Sequence, residues 1–153
     1  MLSLRSLNSN KILTLVLLSG WALWFLAVWT NNLSDLHLQQ GNYLLIKKTT
    51  TIYQVTDSIN LLLFILVILW QLILSGFFIY TIYLVLTNNV LSSKYIRIVY
   101  ALSLALWLAF LIADEIFKNY AIVATHIRVF IAQSISLAIL ILINPSKQNG
   151  DQN

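Results

Sequence analysis

The sequence predicts an all-α integral membrane protein, a bundle of four membrane-spanning helices with one long non-cytoplasmic loop between the first two. Hydrophobic residues make up 59% of the 153 residues and charged residues 9%, whereas a soluble domain carries about 25% charged residues. The apolar residues also lie in four runs that approach the roughly 20 residues needed to cross a hydrocarbon core. Because backbone groups in lipid must be hydrogen-bonded within their own segment, these runs are expected to be helices of a single domain, residues 1–153.

The four predicted spans cover residues 12–29, 59–86, 98–113 and 121–143. The first follows a basic stretch but lacks a small-residue cleavage site, so we expect an uncleaved signal anchor. As a helix, the second would be about 42 Å long against a hydrocarbon core of roughly 30 Å, so it must tilt or project from one face. The third is only about 24 Å long, so its helix must carry charged residues at its ends into the interface.

Residues 30–58 form the one long connection, which is polar at both ends with Leu-Leu-Ile in the middle. We expect an ordered cap on the outer surface that contains a short strand or a helical turn. Within it, Asn31, Asn32 and Asp35 are typical of a turn or of N-cap chemistry after the first span. The polar tail, residues 144–153, is expected to fray.

The distribution of basic residues predicts the orientation, because Lys and Arg favour the cytoplasmic side. With the N-terminus inside, the outer flanks hold Lys47, Lys48 and Lys118, and also Arg128 if it lies near the outer surface. The inner flanks hold Arg5, Lys11, Lys94, Arg97 and Lys147. This excess predicts a multi-pass protein of the cell (inner) membrane with both termini in the cytoplasm.

The composition excludes several kinds of chemistry. The chain has no cysteine, which rules out thiol–disulfide exchange, Cys-ligated zinc and iron–sulfur clusters. The net charge of +4 comes from scattered residues and not from the clustered basic face that nucleic acids require. Two histidines without i, i+4 spacing make a poor metal signature. We therefore predict no metal site and no bound cofactor, and we favour a non-enzymatic protein while an enzymatic activity stays open.

The stretch ATHIRVFIAQS, residues 124–134, puts His126 and Arg128 inside the fourth predicted span. Arg128 lies about 10 Å below the start of that helix, a depth from which its side chain can snorkel to the headgroups. The third span ends in Asp114 and Glu115, and the short connection that follows brings these carboxylates near the fourth helix. Either one could pair with Arg128 and fasten the two helices together. Snorkelling, a structural pair and a functional carboxylate are the alternatives.

Three further polar residues are expected to form hydrogen bonds between helices. His126 and Gln133 are seven residues apart and share one face of the fourth helix. Gln71 is the deepest strongly polar side chain of the second span. A ligand contact is the alternative for Gln71, and a metal or haem ligand is the alternative for His126, although the only other histidine, His37, lies in the outer loop.

Three short motifs carry a resemblance to a known family. Asn-Asn-Leu-Ser-Asp at residues 31–35 resembles an Asn-Asn-(Ile/Leu)-(Thr/Ser)-Asp element after the first span. Asp-Glu-Ile-Phe at residues 114–117 is similar to Gly-Glu-Trp-Phe, and His-Ile-Arg-Val-Phe at residues 126–130 is similar to an aromatic-Arg-x-Phe motif. The family is that of the bacterial predicted small integral membrane proteins called domain of unknown function 2165. The resemblance implies a four-helix inner-membrane protein without assigned activity, with Glu115 and Arg128 as a matched pair.

Three function hypotheses follow. The favoured one is a non-enzymatic membrane protein, which acts as a subunit, an assembly partner or an envelope factor with another membrane protein or a second copy of itself. The alternative is a small-molecule, quinone or haem-binding membrane protein that uses a polar cluster in the outer leaflet. The third is a transporter that works as a homo-oligomer, since four helices rarely enclose a path. The polar cluster of the second hypothesis, the ligand-binding one, consists of Asp114, Glu115, His126 and Arg128.

Overall fold

The computed structural model describes residues 8–144, most of which lie in five α-helices. All the helices except α2 are long and apolar enough to cross a membrane by length and composition, and no strand occurs within the described residues. The predicted all-α bundle of four membrane-spanning helices is therefore confirmed. Of the predicted polar tail, only Asn144 lies within the described residues. The helices are α1 Ser9–Leu38, α2 Gly41–Thr50, α3 Asp57–Leu86, α4 Ser92–Ile116 and α5 Tyr120–Ile143, with a turn of 3-10 helix at Thr51–Tyr53 between α2 and α3.

Helix α1 extends well beyond the first predicted span. It begins where the side chain of Asn8 accepts a hydrogen bond from the backbone N–H of Lys11 at 2.8 Å. It ends at Leu38, and the next residue, Gln39, caps it with a left-handed backbone of φ 51°. The expectation of a loop after residue 29 is thus wrong, because residues 30–38 contain no glycine or proline to stop the helix. Asn31, Asn32 and Asp35 consequently lie within α1 and not in a turn.

Helix α2 is the ordered cap that the sequence predicts over residues 30–58, and Asp35 fixes its start. One carboxylate oxygen of Asp35 accepts a hydrogen bond from the backbone N–H of Asn42 at 2.8 Å. Gly41, the residue before Asn42, has φ 51°, and a Cβ atom there would collide with the Asp35 carboxylate. Asp35 therefore does have capping chemistry, but it caps the helix that follows and not its own.

The remaining connections are tight turns that reverse the chain. The turn from α3 to α4 has a left-handed residue at Asn88, and the turn from α4 to α5 has one at Lys118. Helix α4 includes Lys94 and Glu115 near its two ends, as the short third apolar run requires. Helix α5 begins at Tyr120, one residue before the predicted fourth span.

The four long helices pack as two pairs. Helix α1 packs along α3, α4 packs along α5, and α3 joins the pairs by lying against α4. Aromatic rings fill the core: the rings of Phe25 and Phe78 stack at 5.8 Å between centroids, and Phe78 meets Tyr100 edge-on at 5.3 Å. Large apolar side chains such as Leu23 and Leu66 point outward and are exposed, which suits a surface solvated by lipid.

The two ends of the bundle differ in how the pairs are joined. We call the end with Asn8 and Asn144 the termini end and the opposite end, which α2 covers, the α2 end. Hydrogen bonds between α1 and the C-terminal half of α5 concentrate towards the termini end. They join Asn10 to the carbonyl of Ile143, Asn144 to the hydroxyl of Thr14, and the Trp21 indole to the hydroxyl of Ser136.

Candidate functional site

A cavity of about 320 Å³ lies between the two helix pairs at the α2 end. Trp24 of α1 and Trp107 of α4 line the cavity at the side nearer the termini end, where their ring centroids are 5.3 Å apart. Helix α2 contributes Leu45, Ile46 and Thr49 to the lining. Most of the lining is apolar and aromatic, and a few polar groups interrupt it on opposite walls. This is the usual composition of a small-molecule pocket, which holds about 300–1,000 Å³.

The wall formed by α4 and α5 carries an acid–histidine pair. A carboxylate oxygen of Asp114 lies 2.5 Å from Nδ1 of His126, and the side chains are 5% and 16% exposed. The turn at Lys118 places this pair, because it reverses the chain directly after α4 and brings the second turn of α5 back beside Asp114. The His126 ring stacks on Phe110 at 5.0 Å and lies 5.7 Å from the Trp107 ring. The imidazole is thus held by three contacts, one with a carboxylate and two with aromatic rings.

The predicted pair of Glu115 and Arg128 is not formed among residues 8–144, in which Asp114 pairs with His126 instead. Both Glu115 and Arg128 are exposed. The reason is helical periodicity, since successive residues are about 100° apart around a helix. When Asp114 points inward, Glu115 points away, and Arg128 lies roughly 200° around α5 from His126.

The opposite wall carries a chain of three amides from α1, α2 and α3. The amide nitrogen of Asn42 donates to Oδ1 of Asn32, and the amide nitrogen of Asn32 donates to Oε1 of Gln71, each at 2.8 Å. Asn32 and Gln71 are almost fully buried, and all three amides line the cavity. Gln71 therefore does lie at a helix–helix contact, with Asn32 as the partner that sequence analysis did not identify.

The two polar walls stand at the same height in the bundle. On α1, Asn32 lies eight residues beyond Trp24, about 12 Å along the helix axis. On α4, Asp114 lies seven residues beyond Trp107, about 10 Å along the axis in the same direction. Since the two tryptophans contact each other, the amide chain and the acid–histidine pair face the cavity at nearly one level.

Helix α2 is anchored over the cavity by contacts at both of its ends. The Tyr43 ring packs on Phe64 of α3 at 5.6 Å, and the Thr50 hydroxyl donates to Oδ1 of Asn60 at 2.7 Å. The Lys47 ammonium lies 2.9 Å from the Asp57 carboxylate, and this hydrogen bond raises the pKa of Lys47 above its ordinary value. These contacts tie α2 to α3.

The segment after α2 then reaches the other helix pair. The hydroxyl of Tyr53 donates to the carbonyl of Ile116 at 2.8 Å, and its ring meets Phe117 edge-on at 5.5 Å. The segment that the sequence predicts as a capping loop thus holds the two helix pairs together at the α2 end. Nothing in the apolar periodicity of residues 41–53 identifies these partners, because each contact joins segments distant in the chain.

Gln133 lies in the core and away from the cavity. Its Oε1 accepts a hydrogen bond from the hydroxyl of Ser103 on α4, and its Nε2 is buried without a hydrogen-bond partner among residues 8–144. Gln133 and His126 are on the same side of α5, but only His126 lines the cavity. Gln133 therefore fastens α5 to α4, whereas His126 belongs to the candidate site.

The residues that the structure describes contain no group of three or more His, Asp or Glu side chains that could hold a metal ion. Asp114 and His126 are the ionisable side chains that line the cavity. The arrangement can therefore bind an organic molecule through a histidine, a carboxylate and amides.

Comparisons with known protein families, with curated proteins and with solved structures found no match. The resemblance to the family called domain of unknown function 2165 therefore stays a prediction, and the cavity and its residues carry the functional argument.

Proposed function

We propose that this multi-pass membrane protein binds a small, largely apolar organic molecule in the cavity at the α2 end. The observation that carries the proposal is the cavity itself, an apolar space with aromatic walls and polar side chains facing each other at one level. A structural staple between helices would not need such a space, because close-packed helices leave few voids larger than a water molecule. The geometry thus favours the ligand-binding hypothesis over the subunit hypothesis that the sequence favours.

The polar groups of the proposed site are few and fixed. The Asp114 carboxylate holds the His126 ring, and the hydrogen bonds of Asn32 hold the Gln71 amide. Side chains that are already immobilised lose little conformational entropy when a ligand binds, so affinity is gained from preorganisation. Helix α2 closes the cavity from the side of the headgroups, so the ligand would enter from the lipid between helices or after α2 moves.

We also propose that the protein lies in the cell membrane with both termini in the cytoplasm. Support comes from the sequence, in which five basic residues flank the spans on the side of the two termini and three or four flank them on the opposite side. In this orientation α2 and the cavity lie at the outer leaflet.

Mass spectrometry of the purified protein tests the ligand-binding proposal. The protein is extracted from native membranes in mild detergent, and organic molecules that remain bound are quantified after solvent extraction. We expect about one bound molecule per chain, other than detergent and bulk phospholipid. In Val67→Phe, which fills the cavity from α3, the molecule should be lost. The neighbouring Leu66→Phe, on the exposed face of the same helix, should retain it.

Two outcomes would contradict ligand binding. Equal recovery of every extracted molecule from the Val67→Phe and Leu66→Phe proteins would show that nothing occupies the cavity. A protein partner at fixed stoichiometry, with an empty cavity, would favour the subunit hypothesis. An absorbance spectrum of the same sample identifies haem as the ligand if a Soret band is present.

A further inference from the structure

The polar groups around the cavity define the chemistry of its ligand more narrowly than the cavity alone does. We propose that the ligand is a neutral quinone-type ring, with one ring oxygen bound by the Gln71 amide and the opposite oxygen bound by the His126 imidazole. The inference rests on the proposed function, because it names the class of molecule that would occupy the same cavity.

The charge of the cavity favours a neutral ligand. Among residues 8–144, the lining contains no lysine, arginine or glutamate, and its histidine is already paired with Asp114, so an anionic lipid or a fatty acid would find no free basic partner. Asp114 is already engaged by His126, so a cationic ligand would have to displace the imidazole. Burying an unpaired charge is costly in a space enclosed by apolar side chains. A neutral molecule avoids that cost.

The free hydrogen-bonding atoms favour a ligand with two oxygens. Within residues 8–144, the hydrogen bonds of Gln71 and His126 use Oε1 of Gln71 and Nδ1 of His126. The Nε2 atom of each side chain is left for a ligand. Nε2 of Gln71 is a donor. Nε2 of His126 is a donor when the ring is protonated beside Asp114, and an acceptor when the ring is neutral with its proton on Nδ1.

This pair of atoms suits both oxidation states of a quinone. The carbonyl oxygens of the oxidised ring accept from the Gln71 amide and from the protonated imidazole. A hydroxyl of the reduced ring donates to the neutral imidazole. The two atoms come from opposite walls at nearly one level, as the two oxygens of a para-quinone lie at opposite ends of one plane.

The shape of the lining favours a flat ring. Phe64, Phe110 and Phe117 line the cavity together with Trp24 and Trp107, and aromatic faces bind planar rings by offset or edge-to-face stacking. The volume of about 320 Å³ is at the lower end for a ligand pocket. It holds a substituted ring and leaves a long isoprenoid tail to lie outside among the lipids.

The binding experiment uses the full-length protein in lipid nanodiscs and two probes with the same tail, decylubiquinone and decylbenzene. Binding is followed by saturable quenching of tryptophan fluorescence, and decylbenzene is tested as a competitor. We expect decylubiquinone to bind, and decylbenzene, which lacks ring oxygens, to bind at least about 10-fold more weakly, as expected from the loss of about one strong hydrogen bond.

Matched variants distinguish the loss of a hydrogen bond to a ring oxygen from a general defect in folding. Gln71→Leu and His126→Phe should each raise the Kd of decylubiquinone about 10-fold. Gln133→Leu, another buried glutamine, and Glu115→Gln, beside Asp114, lie outside the cavity lining and should leave the Kd within about 2-fold. All these variants keep the five tryptophans, so unspecific quenching is the same in each.

Asp114→Asn provides a readout that a structural defect would not produce. The Asp114 carboxylate holds the proton of a neutral imidazole on Nδ1, and without it this proton can lie on Nε2. The variant should therefore retain affinity for decylubiquinone, whose oxygen accepts from Nε2, but lose affinity for the hydroquinone, which needs Nε2 as an acceptor. Circular dichroism and size-exclusion chromatography would reveal whether Gln71→Leu folds. If it does not, Asp114→Asn still tests the inference.

Failure of this inference can be told apart from failure of the proposed function. If decylbenzene competes as well as the quinone does, or if the cavity variants bind quinone like the control variants, the ligand is not a quinone but the cavity still binds apolar molecules. If neither probe binds and Val67→Phe extracts the same molecules as Leu66→Phe, the proposed function itself is overturned.

Discussion

A carboxylate oxygen of Asp114 lies 2.5 Å from Nδ1 of His126, although the two residues are twelve positions apart in the chain. This contact joins the last turn of α4 to the second turn of α5. The contact lies inside the bundle and at the cavity wall. It therefore has two consequences that can be measured separately, one for stability and one for ligand binding.

For stability, a double-mutant cycle on this pair is expected to show strong coupling. Asp114→Asn and His126→Gln should each lower the free energy of unfolding by about 3 kcal/mol, because each leaves a buried polar partner without its contact. The double variant should cost less than the sum, with a coupling energy of about 1–3 kcal/mol. Unfolding in mixed detergent micelles, followed by circular dichroism, provides the measurement.

Glu115→Gln and Arg128→Gln are the matched controls for this cycle. Both side chains are exposed, so each change should alter stability by less than about 0.5 kcal/mol, as surface substitutions do. Strong coupling between Glu115 and Arg128, with additive effects at Asp114 and His126, would contradict the described pairing. It would show that Glu115 pairs with Arg128 and that Asp114 does not pair with His126.

The amide chain gives a second prediction. Asn32→Leu should destabilise the protein by about 1–2 kcal/mol, because it removes the partner of Oε1 of the buried Gln71. Asn31→Leu, one residue earlier on the exposed face of α1, should be nearly neutral. Thermal unfolding of the two variants in the same detergent compares them, and equal melting temperatures would contradict the importance of the amide chain.

The start of α2 gives a third prediction. Gly41→Ala should loosen α2, because a left-handed backbone costs a residue with a Cβ atom about 1–2 kcal/mol and this Cβ would displace the Asp35 carboxylate. Hydrogen exchange of the α2 amides should become faster. Gly20→Ala is the control, since its Cβ would meet no atom within 4 Å, and alanine there should stabilise α1 by up to about 1 kcal/mol. Unchanged exchange in the Gly41 variant would argue against this capping arrangement.

Single-cysteine labelling tests the proposed orientation, and the natural absence of cysteine makes every introduced thiol unique. Ile52→Cys lies after α2 and Val90→Cys lies in the turn between α3 and α4, and both native side chains are well exposed. In intact cells a membrane-impermeant maleimide should label position 52, and it should label position 90 only after permeabilisation. The opposite pattern would place the cavity at the inner leaflet.

The number of spans and their helical structure can be predicted from hydropathy. Each long apolar run is one span, and lipid requires a span to be helical so that its backbone groups are hydrogen-bonded. Helix ends were harder to predict. Residues 30–38 are polar enough to suggest a loop, yet Asn32 and Leu36 are one helical turn apart and pack inward. Their partners lie on α2 and α3, so the signal that keeps this segment helical comes from tertiary contacts.

The candidate site was predicted in part for a similar reason. A hairpin between the third and fourth spans brings Asp114, Glu115, His126 and Arg128 to one region, as expected from chain connectivity. Which of them face each other depends on the rotation of each helix about its axis. The buried positions of α5, Gln133, Ser136 and Leu140, fix that rotation, and it turns His126 towards Asp114.

The contact between Trp24 and Trp107 has a mechanical consequence. Towards the termini end, hydrogen bonds hold the two helix pairs close together. Towards the α2 end, the pairs enclose the cavity and are joined through Tyr53 of the segment after α2. The two indole rings therefore lie where a pivot between the pairs would be. The polar walls lie about 10–12 Å beyond that pivot. A change of about 5° in the angle between the pairs would therefore alter the width of the cavity at the polar walls by about 1 Å. That is enough to make or break a hydrogen bond. Substituting a smaller ring at Trp24 would thus change ligand affinity from a position that bears no polar contact to the ligand.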